Sequence, residues 1–261
     1  MNPDLVPTTT ATTATTAAPW PYPFWIAHRG AGKERPENTL AAFEHGSACG
    51  YAMFECDVKL SADGIPFLLH DDTLDRTTNG RGPADALPWA DLAQLDAGGW
   101  HSDACAGEPL PTLATIAAHC LQQGAALNIE IKPMPGQEAA TGRAVALAAR
   151  QLWQGQTVPP LLSSFQPAAL QAAQQAAPEL PRALLLETPW EGWATVAAAL
   201  QCVAIVFQQR RLDESLMQQA RAHGWRVLCY TANSAADVQR LRALGVDGII
   251  TDDMGWARSP D

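Results

Sequence analysis

The sequence predicts an α/β barrel: eight parallel strands in a ring, helices around it, and a small inserted subdomain near residues 71–110. Three observations carry that expectation. Short apolar runs alternate with alanine-rich, helix-forming stretches along most of the chain. The runs are apolar nearly throughout, as strands covered on both faces of a parallel sheet must be. Nine such runs occur, one more than a closed eight-stranded ring needs, and an Asp-Gly pair separates the second from the third.

In chain order, residues 8–18 read TTTATTATTAA, low-complexity sequence expected to be mobile. Trp20-Pro21-Tyr22-Pro23 leads in as extended chain, because a proline disfavours helix in the residue before it. Strand-like runs follow at 24–28, 52–58, 65–70, 126–131, 161–165, 183–187, 203–207, 226–231 and 248–251. Helix-like stretches fall near 38–49, 112–123, 137–153, 167–176, 190–200, 213–223 and 234–243. Asp63-Gly64 signals a hairpin. A two-residue turn there pairs positions summing to 127, so Asp57 faces His70. The third run then folds back over the barrel mouth, and eight parallel strands remain. Residues 71–110 are rich in Gly, Pro and Asp, and so long an irregular segment is usually functional or an insertion. No internal repeat is visible. The expected organisation is an extended N-terminal segment over residues 1–23, one barrel domain over 24–255 and a tail over 256–261.

Composition narrows the function. Lengths of about 200–250 residues are ordinary for one barrel domain, and this chain has 261. With 47% hydrophobic and 17% charged residues the chain is globular rather than disordered. Its net charge of −10 argues against nucleic-acid or anionic-membrane partners, although a local basic pocket could still hold one phosphate. Six cysteines form no C-x-x-C pair, which excludes zinc-ribbon and thioredoxin-like readings and suits buried thiols in a reducing compartment. No basic start followed by an apolar run marks a secretory signal, and no stretch reaches the ~18 apolar residues of a membrane span. The expectation is a cytoplasmic protein with a small-molecule substrate, no nucleic-acid partner and no stable membrane insertion. The oligomeric state stays open.

Functional groups of a barrel collect at the C-terminal ends of its strands. The first strand ends in Ala27-His28-Arg29-Gly30, the second carries Glu55 and Asp57, and the return strand ends in His70-Asp71. The next carries Glu130 and ends in Lys132. Residues two apart on a strand share a side, so Glu55 lies beside Asp57 and Glu130 beside Lys132. Alternation turns these charges inward or upward and Phe54, Cys56, Ile129 and Ile131 outward. Three converging carboxylates cannot all stay ionised without compensation. A hard divalent cation provides it, and Mg²⁺ or Ca²⁺ suits carboxylate oxygens better than Zn²⁺. The competing reading is an ion-pair network with Arg29 and Lys132, which leaves the two histidines less well explained. Three carboxylates, one divalent cation, Arg29 and Lys132 sum to about +1, which one phosphodiester monoanion neutralises. His28 and His70 then supply a general acid and a general base, with the assignment open.

These residues resemble the glycerophosphodiester phosphodiesterase family. The matching pieces are His28-Arg29-Gly30, Pro36-Glu37-Asn38-Thr39, Glu55-x-Asp57-Val58, Asp63-Gly64, His70-Asp71 and Leu74-x-Arg76-Thr77-Thr78-x-Gly80. Leu95-Asp96-x-Gly98, Gly107-Glu108-x-x-Pro111-Thr112-Leu113, Asn128-x-Glu130-Ile131-Lys132 and the run 245–252 follow in the family's order. The resemblance implies a distorted (β/α)8 TIM barrel and hydrolysis of substrates such as glycerophosphocholine or glycerophosphoethanolamine to glycerol 3-phosphate and an alcohol. It implies a divalent metal on Glu55, Asp57 and Glu130, catalytic histidines at His28 and His70, and phosphate contacts from Arg29 and Lys132. Tyr230-Thr231-Ala232-Asn233 stands where the family often has Trp-Thr-Val-Asn, which puts Tyr230 in the substrate wall. Trp100-His101 replaces the usual Trp-Phe.

Other features read as structural. His45, His119 and His223 are surface or packing residues, and Asn38 or Thr39 caps the first helix. Asp71, Asp72 and Asp75 trim their loop by local hydrogen bonds. Trp89 and Trp100 pack the insertion or line a choline-like headgroup. The alternatives on the same barrel are a lysophospholipase D-like or sphingomyelinase-like enzyme and a non-catalytic phosphodiester binder. The first needs an exposed apolar groove or an interfacial helix, and the sequence shows no amphipathic basic helix of that type. The second predicts a lost ligand or histidine, and none is lost.

Overall fold

The inner strands are buried almost throughout, and the chain achieves this by closing the sheet on itself. The computed structural model describes residues 20–258, so the segment 8–18 lies outside the described residues. The strands are β1 (Trp25–Ala27), β2 (Met53–Leu60), β3 (Pro66–Leu68), β4 (Ala126–Ile131) and β5 (Leu161–Ser164). They continue with β6 (Arg182–Leu186), β7 (Ala204–Gln208), β8 (Arg226–Tyr230) and β9 (Gly248–Thr251). The order β1-β9-β8-β7-β6-β5-β4-β2 is parallel throughout, and the pairing of Ala27 with Phe54 closes the ring. This is a (β/α)8 barrel. β3 lies outside the ring, antiparallel on β2.

The helices are α1 (Leu40–Ala48), α2 (Trp89–Leu92), α3 (Leu113–Gln123) and α4 (Glu138–Leu152). After them come α5 (Pro167–Ala176), α6 (Trp193–Ala199), α7 (Glu214–Ala222) and α8 (Ala235–Leu244). Their ends follow from side-chain chemistry. Thr112, Asp213 and Ser234 each accept the free amide three residues on. Gly124 and Gly245 close α3 and α8 in the left-handed conformation. No described helix is long and apolar enough to cross a membrane.

Alternation along the strands builds two apolar layers. Ile26, Met53, Ala183, Val206, Leu228 and Ile250 fill the barrel interior. Phe54, Cys56, Ile129, Ile131, Leu184 and Phe207 face outward into the helices. The insertion packs a small separate core of Leu74, Leu92 and Leu110 against Phe67 of β3 and Leu69 after it. Lys59, fully buried, joins insertion to barrel: its Nζ donates to Asp72 Oδ1 at 2.8 Å and to the Lys132 carbonyl at 3.3 Å.

The predicted hairpin register is off by one. Val58 pairs with Leu68, Lys59 with Phe67 and Leu60 with Pro66, so the numbers sum to 126. The loop holds three residues rather than two. The Gly64 amide donates to the Ser61 carbonyl, Gly64 sits at φ 80°, and the Ser61 amide donates to the Ile65 carbonyl. A turn followed by a left-handed residue is the ordinary three-residue hairpin. Asp57 therefore lies opposite Leu69, whose amide donates to the Asp57 carbonyl, and His70 comes one residue later. The sequence also misses α2 and three 3₁₀ turns at Asp103–Cys105, Gln209–Arg211 and Trp256–Arg258. The last turn lies in the expected tail, yet Trp256 stacks on Trp25 at 5.3 Å.

Candidate active site

The strand ends converge on one cavity of about 690 Å³ at the C-terminal mouth. His28, Arg29, Glu55, His70, Glu130, Lys132 and Tyr230 line it. Asp57 lies beneath, 1% exposed. Barrel register explains the convergence: β2 sets Asp57 beside Glu130 and Glu55 beside Asn128 on β4. Oxygens of Glu55, Asp57 and Glu130 all lie within 4.8 Å of one another. Arg29 reaches this cluster from a left-handed backbone position, φ 52°, with Nε 3.1 Å from Asp57 Oδ2. Lys132 Nζ lies 3.3 Å from Asp57 and 3.2 Å from Glu130. The structure thus brings together every residue the sequence singled out for the site. Trp89 packs on Phe67, and neither Trp89 nor Trp100 lines the cavity.

The loop after β1 is held tightly. A Cβ on Gly32, which sits at φ +56°, would come within 2.3 Å of the Asp252 backbone. A Cβ on Gly30, at φ +94°, would meet Phe43 at 2.8 Å. Only glycine permits that approach and that conformation together.

Charge is divided unevenly among the three acids. Burial works to raise the Asp57 carboxyl, but Arg29, Lys132 and His70 outweigh it and hold it well below the usual carboxylate range. Burial pushes Glu55 well above that range, and the charges of Asp57 and Glu130 add to the rise; Arg29 only partly offsets them. Burial and Asp57 raise Glu130 to about 7 against the pull of Lys132. The two bases therefore compensate one carboxylate and leave the pair around it short of positive charge.

A pH dependence of stability follows. Unfolded glutamates titrate near about 4.3, and folded Glu55 and Glu130 keep their protons to higher pH. The folded state then binds more protons over this window, so stability falls as pH rises. His70, which burial holds below its ordinary value, works the other way, as one group against two. The melting temperature of chelator-treated protein is expected to fall between about pH 5 and 7.5, and Glu130→Gln to flatten the slope. An unchanged slope in that variant would show that Glu130 is already compensated.

Sequence reasoning missed the residues behind these. His28 Nδ1 lies 2.6 Å from Asp252 Oδ1, and His70 Nδ1 2.6 Å from Asp71 Oδ1. Asp71 also receives two bonds from Arg76, so it does more than trim a loop. Glu37 bridges Arg29 and Arg76. Thr39 alone caps α1; Asn38, left-handed at φ 58°, instead clamps Asp57. Its Nδ2 donates to Asp57 Oδ2 at 2.8 Å, and its Oδ1 accepts the Asp57 amide. Two non-glycine left-handed residues beside one carboxylate concentrate backbone strain where the charged groups meet. The motif letters Pro36-Glu37-Asn38-Thr39 and Thr251-Asp252 were the available signal.

A closed barrel with acids, bases and histidines gathered at an open C-terminal mouth defines the class, an α/β-barrel enzyme. The model of the glycerophosphoryl diester phosphodiesterase family matches residues 28–256. A glycerophosphodiester phosphodiesterase of Caldanaerobacter subterraneus is 33% identical over 236 residues, covering 87% of this chain and 93% of that protein. An Oleispira antarctica phosphodiesterase, solved with its product sn-glycerol-3-phosphate, superposes with a TM-score of 0.83 at 35% identity. That match covers 88% of this chain and 93% of the other. Agrobacterium tumefaciens glycerophosphodiester phosphodiesterase gives 0.76 at 30% identity, over 90% and 99% of the two chains. The chain belongs to the glycerophosphoryl diester phosphodiesterase family and is a phosphoric diester hydrolase.

Proposed function

We propose that the enzyme hydrolyses glycerophosphodiesters such as glycerophosphocholine and glycerophosphoethanolamine to glycerol 3-phosphate and an alcohol. In this reading a divalent cation, Mg²⁺ or Ca²⁺, is held by Glu55, Asp57 and Glu130. The observation that carries it is the cluster of three buried carboxylates whose oxygens lie within 4.8 Å of one another, compensated only in part by Arg29 and Lys132. The donors fit such an ion: all are carboxylate oxygens, which hard cations prefer. Both polar atoms of the neighbouring Asn128 amide are buried without a protein partner. When bound, the cation withdraws charge from a phosphoryl oxygen and neutralises the acids.

The chain's own residues divide the remaining work. Arg29 and Lys132 hold non-bridging phosphate oxygens. An ionised aspartate only accepts, so Asp252 and Asp71 keep the Nδ1 protons of His28 and His70 in place. Each ring then presents Nε2 for proton transfer. One histidine takes the proton of the attacking hydroxyl, and the other gives a proton to the leaving oxygen. The attacking hydroxyl is water or the substrate's own glycerol 2-hydroxyl. The second route passes through a cyclic phosphodiester that rapid quenching would capture. Tyr230, whose hydroxyl is buried without a protein partner, forms with Phe165 an aromatic part of the cavity wall. The product in the Oleispira antarctica complex supports this substrate class.

The decisive experiment measures glycerol 3-phosphate release from glycerophosphoethanolamine by chelator-treated enzyme, with and without added Mg²⁺ or Ca²⁺. Release only with metal is expected. Full release after chelation would remove the cation from the mechanism. Asn38→Ala should weaken metal affinity by about 10- to 100-fold, since the residue orients a ligand rather than serving as one. Isothermal titration of Mg²⁺ into the variant checks this, and unchanged affinity would leave Asn38 a loop residue only.

A further inference from the structure

A second group of ligating side chains sits on the outer side of the β1–α1 loop. His45 and Cys49 are one helical turn apart on α1 and its C-cap, so both project from one face. Glu34 comes to the same point from the loop. His45 Nε2 is 2.8 Å from Glu34 Oε2 and 3.6 Å from Cys49 Sγ, and the three ligand atoms lie within 4.8 Å of one another. One imidazole nitrogen thus faces both an oxygen and a sulfur. A single proton or lone pair can serve only one of them. A cation at the shared point would serve all three.

We propose that Glu34, His45 and Cys49 form a second cation site, selective for Zn²⁺ rather than Mg²⁺ or Ca²⁺. The donor set decides the selectivity: thiolate and imidazole favour a softer ion, whereas the Glu55, Asp57 and Glu130 cluster offers carboxylates alone. The spacing agrees. With Zn–S about 2.3 Å and Zn–N about 2.0 Å, tetrahedral ligands S and N stand about 3.5 Å apart, close to the Cys49–His45 separation. The N and O ligands stand about 3.3 Å apart, so only the Glu34 carboxylate has to draw back slightly. Water completes the tetrahedron at this half-exposed place. Cys49 is suited to the role because it is only partly buried, whereas burial pushes the thiols of Cys56, Cys120, Cys202 and Cys229 upward. A bound ion would tie the end of α1 to the loop whose two ends carry Arg29 and Asn38. The site would then act as a clasp on the mouth from outside it.

Cobalt substitution tests this with a readout the barrel mouth cannot produce. Metal-free enzyme is titrated with Co²⁺, and the near-ultraviolet thiolate-to-cobalt charge-transfer band is recorded. The band is expected in the wild type and in Cys105→Ser. It should vanish in Cys49→Ser and His45→Ala, and Zn²⁺ should displace it while excess Mg²⁺ does not. Glycerophosphodiester turnover with saturating Mg²⁺ should be unchanged in Cys49→Ser, which shows that the variant is folded. Absence of the band from the wild type, or its survival in Cys49→Ser, would overturn the proposal.

Discussion

Glu55→Gln is expected to abolish turnover and at the same time raise the thermal stability of the metal-free protein. Both effects come from one carboxylate. Losing a cation ligand removes several kcal/mol of transition-state stabilisation, at least about 10³-fold in kcat/KM at about 1.4 kcal/mol per decade. The stability gain arises because burial and the charges of Asp57 and Glu130 already disfavour ionised Glu55. Glutamine keeps the shape and deletes the repulsion. Asp57→Asn should behave oppositely on stability. Asp57 anchors Arg29 and Lys132, and removing one member of a buried ion pair typically costs about 3–5 kcal/mol. Steady-state kinetics and thermal melts of the two variants, with and without Mg²⁺, check the contrast. Retained Mg²⁺-dependent turnover in Glu55→Gln would remove Glu55 from the cation site.

His28→Ala and His70→Ala are each expected to lower kcat by at least about 10²-fold, the lower end for a proton-transfer group. The pH profile carries more information than the size of the loss. A paired acid and base give a bell-shaped profile, and deleting one member should remove one limb. The limb lost with each histidine assigns the acid and the base. Asp252→Asn should reshape the His28 limb without removing it, because Asp252 holds Nδ1 at 2.6 Å and does not touch the reacting atoms. A loss below tenfold in either histidine variant would exclude that residue from the pair.

Much of this enzyme was legible in the residues themselves. Apolar runs of strand length that alternate with alanine-rich helices require a covered parallel sheet, and β4 and β9 fall on the residues the sequence marks. The period of two along Phe54-Glu55-Cys56-Asp57 and Ile129-Glu130-Ile131-Lys132 was enough to place three acids and a lysine on one side. Asp63-Gly64 correctly marked a hairpin but not its length. Whether a glycine closes a two- or a three-residue loop depends on which residue turns left-handed, and flanking strands decide that.

What the sequence determined by itself was whatever depends on local periodicity: the order of the strands and of the helices other than α2, the inward charges and the residue types of the site. What only the tertiary structure decided was which partners those charges have. Asn38 on Asp57, Asp252 on His28 and Glu37 between Arg29 and Arg76 join residues 8 to 224 positions apart. Closure of the ring brings β9 against β1, and with it Asp252 to His28. The same closure gives the three acids unequal environments, since pKa depends on burial and neighbouring charge rather than on residue type. Glu34, His45 and Cys49 show the same limit: the pattern made His45 a surface or packing residue of a helix, and only the returning loop showed what stands beside it.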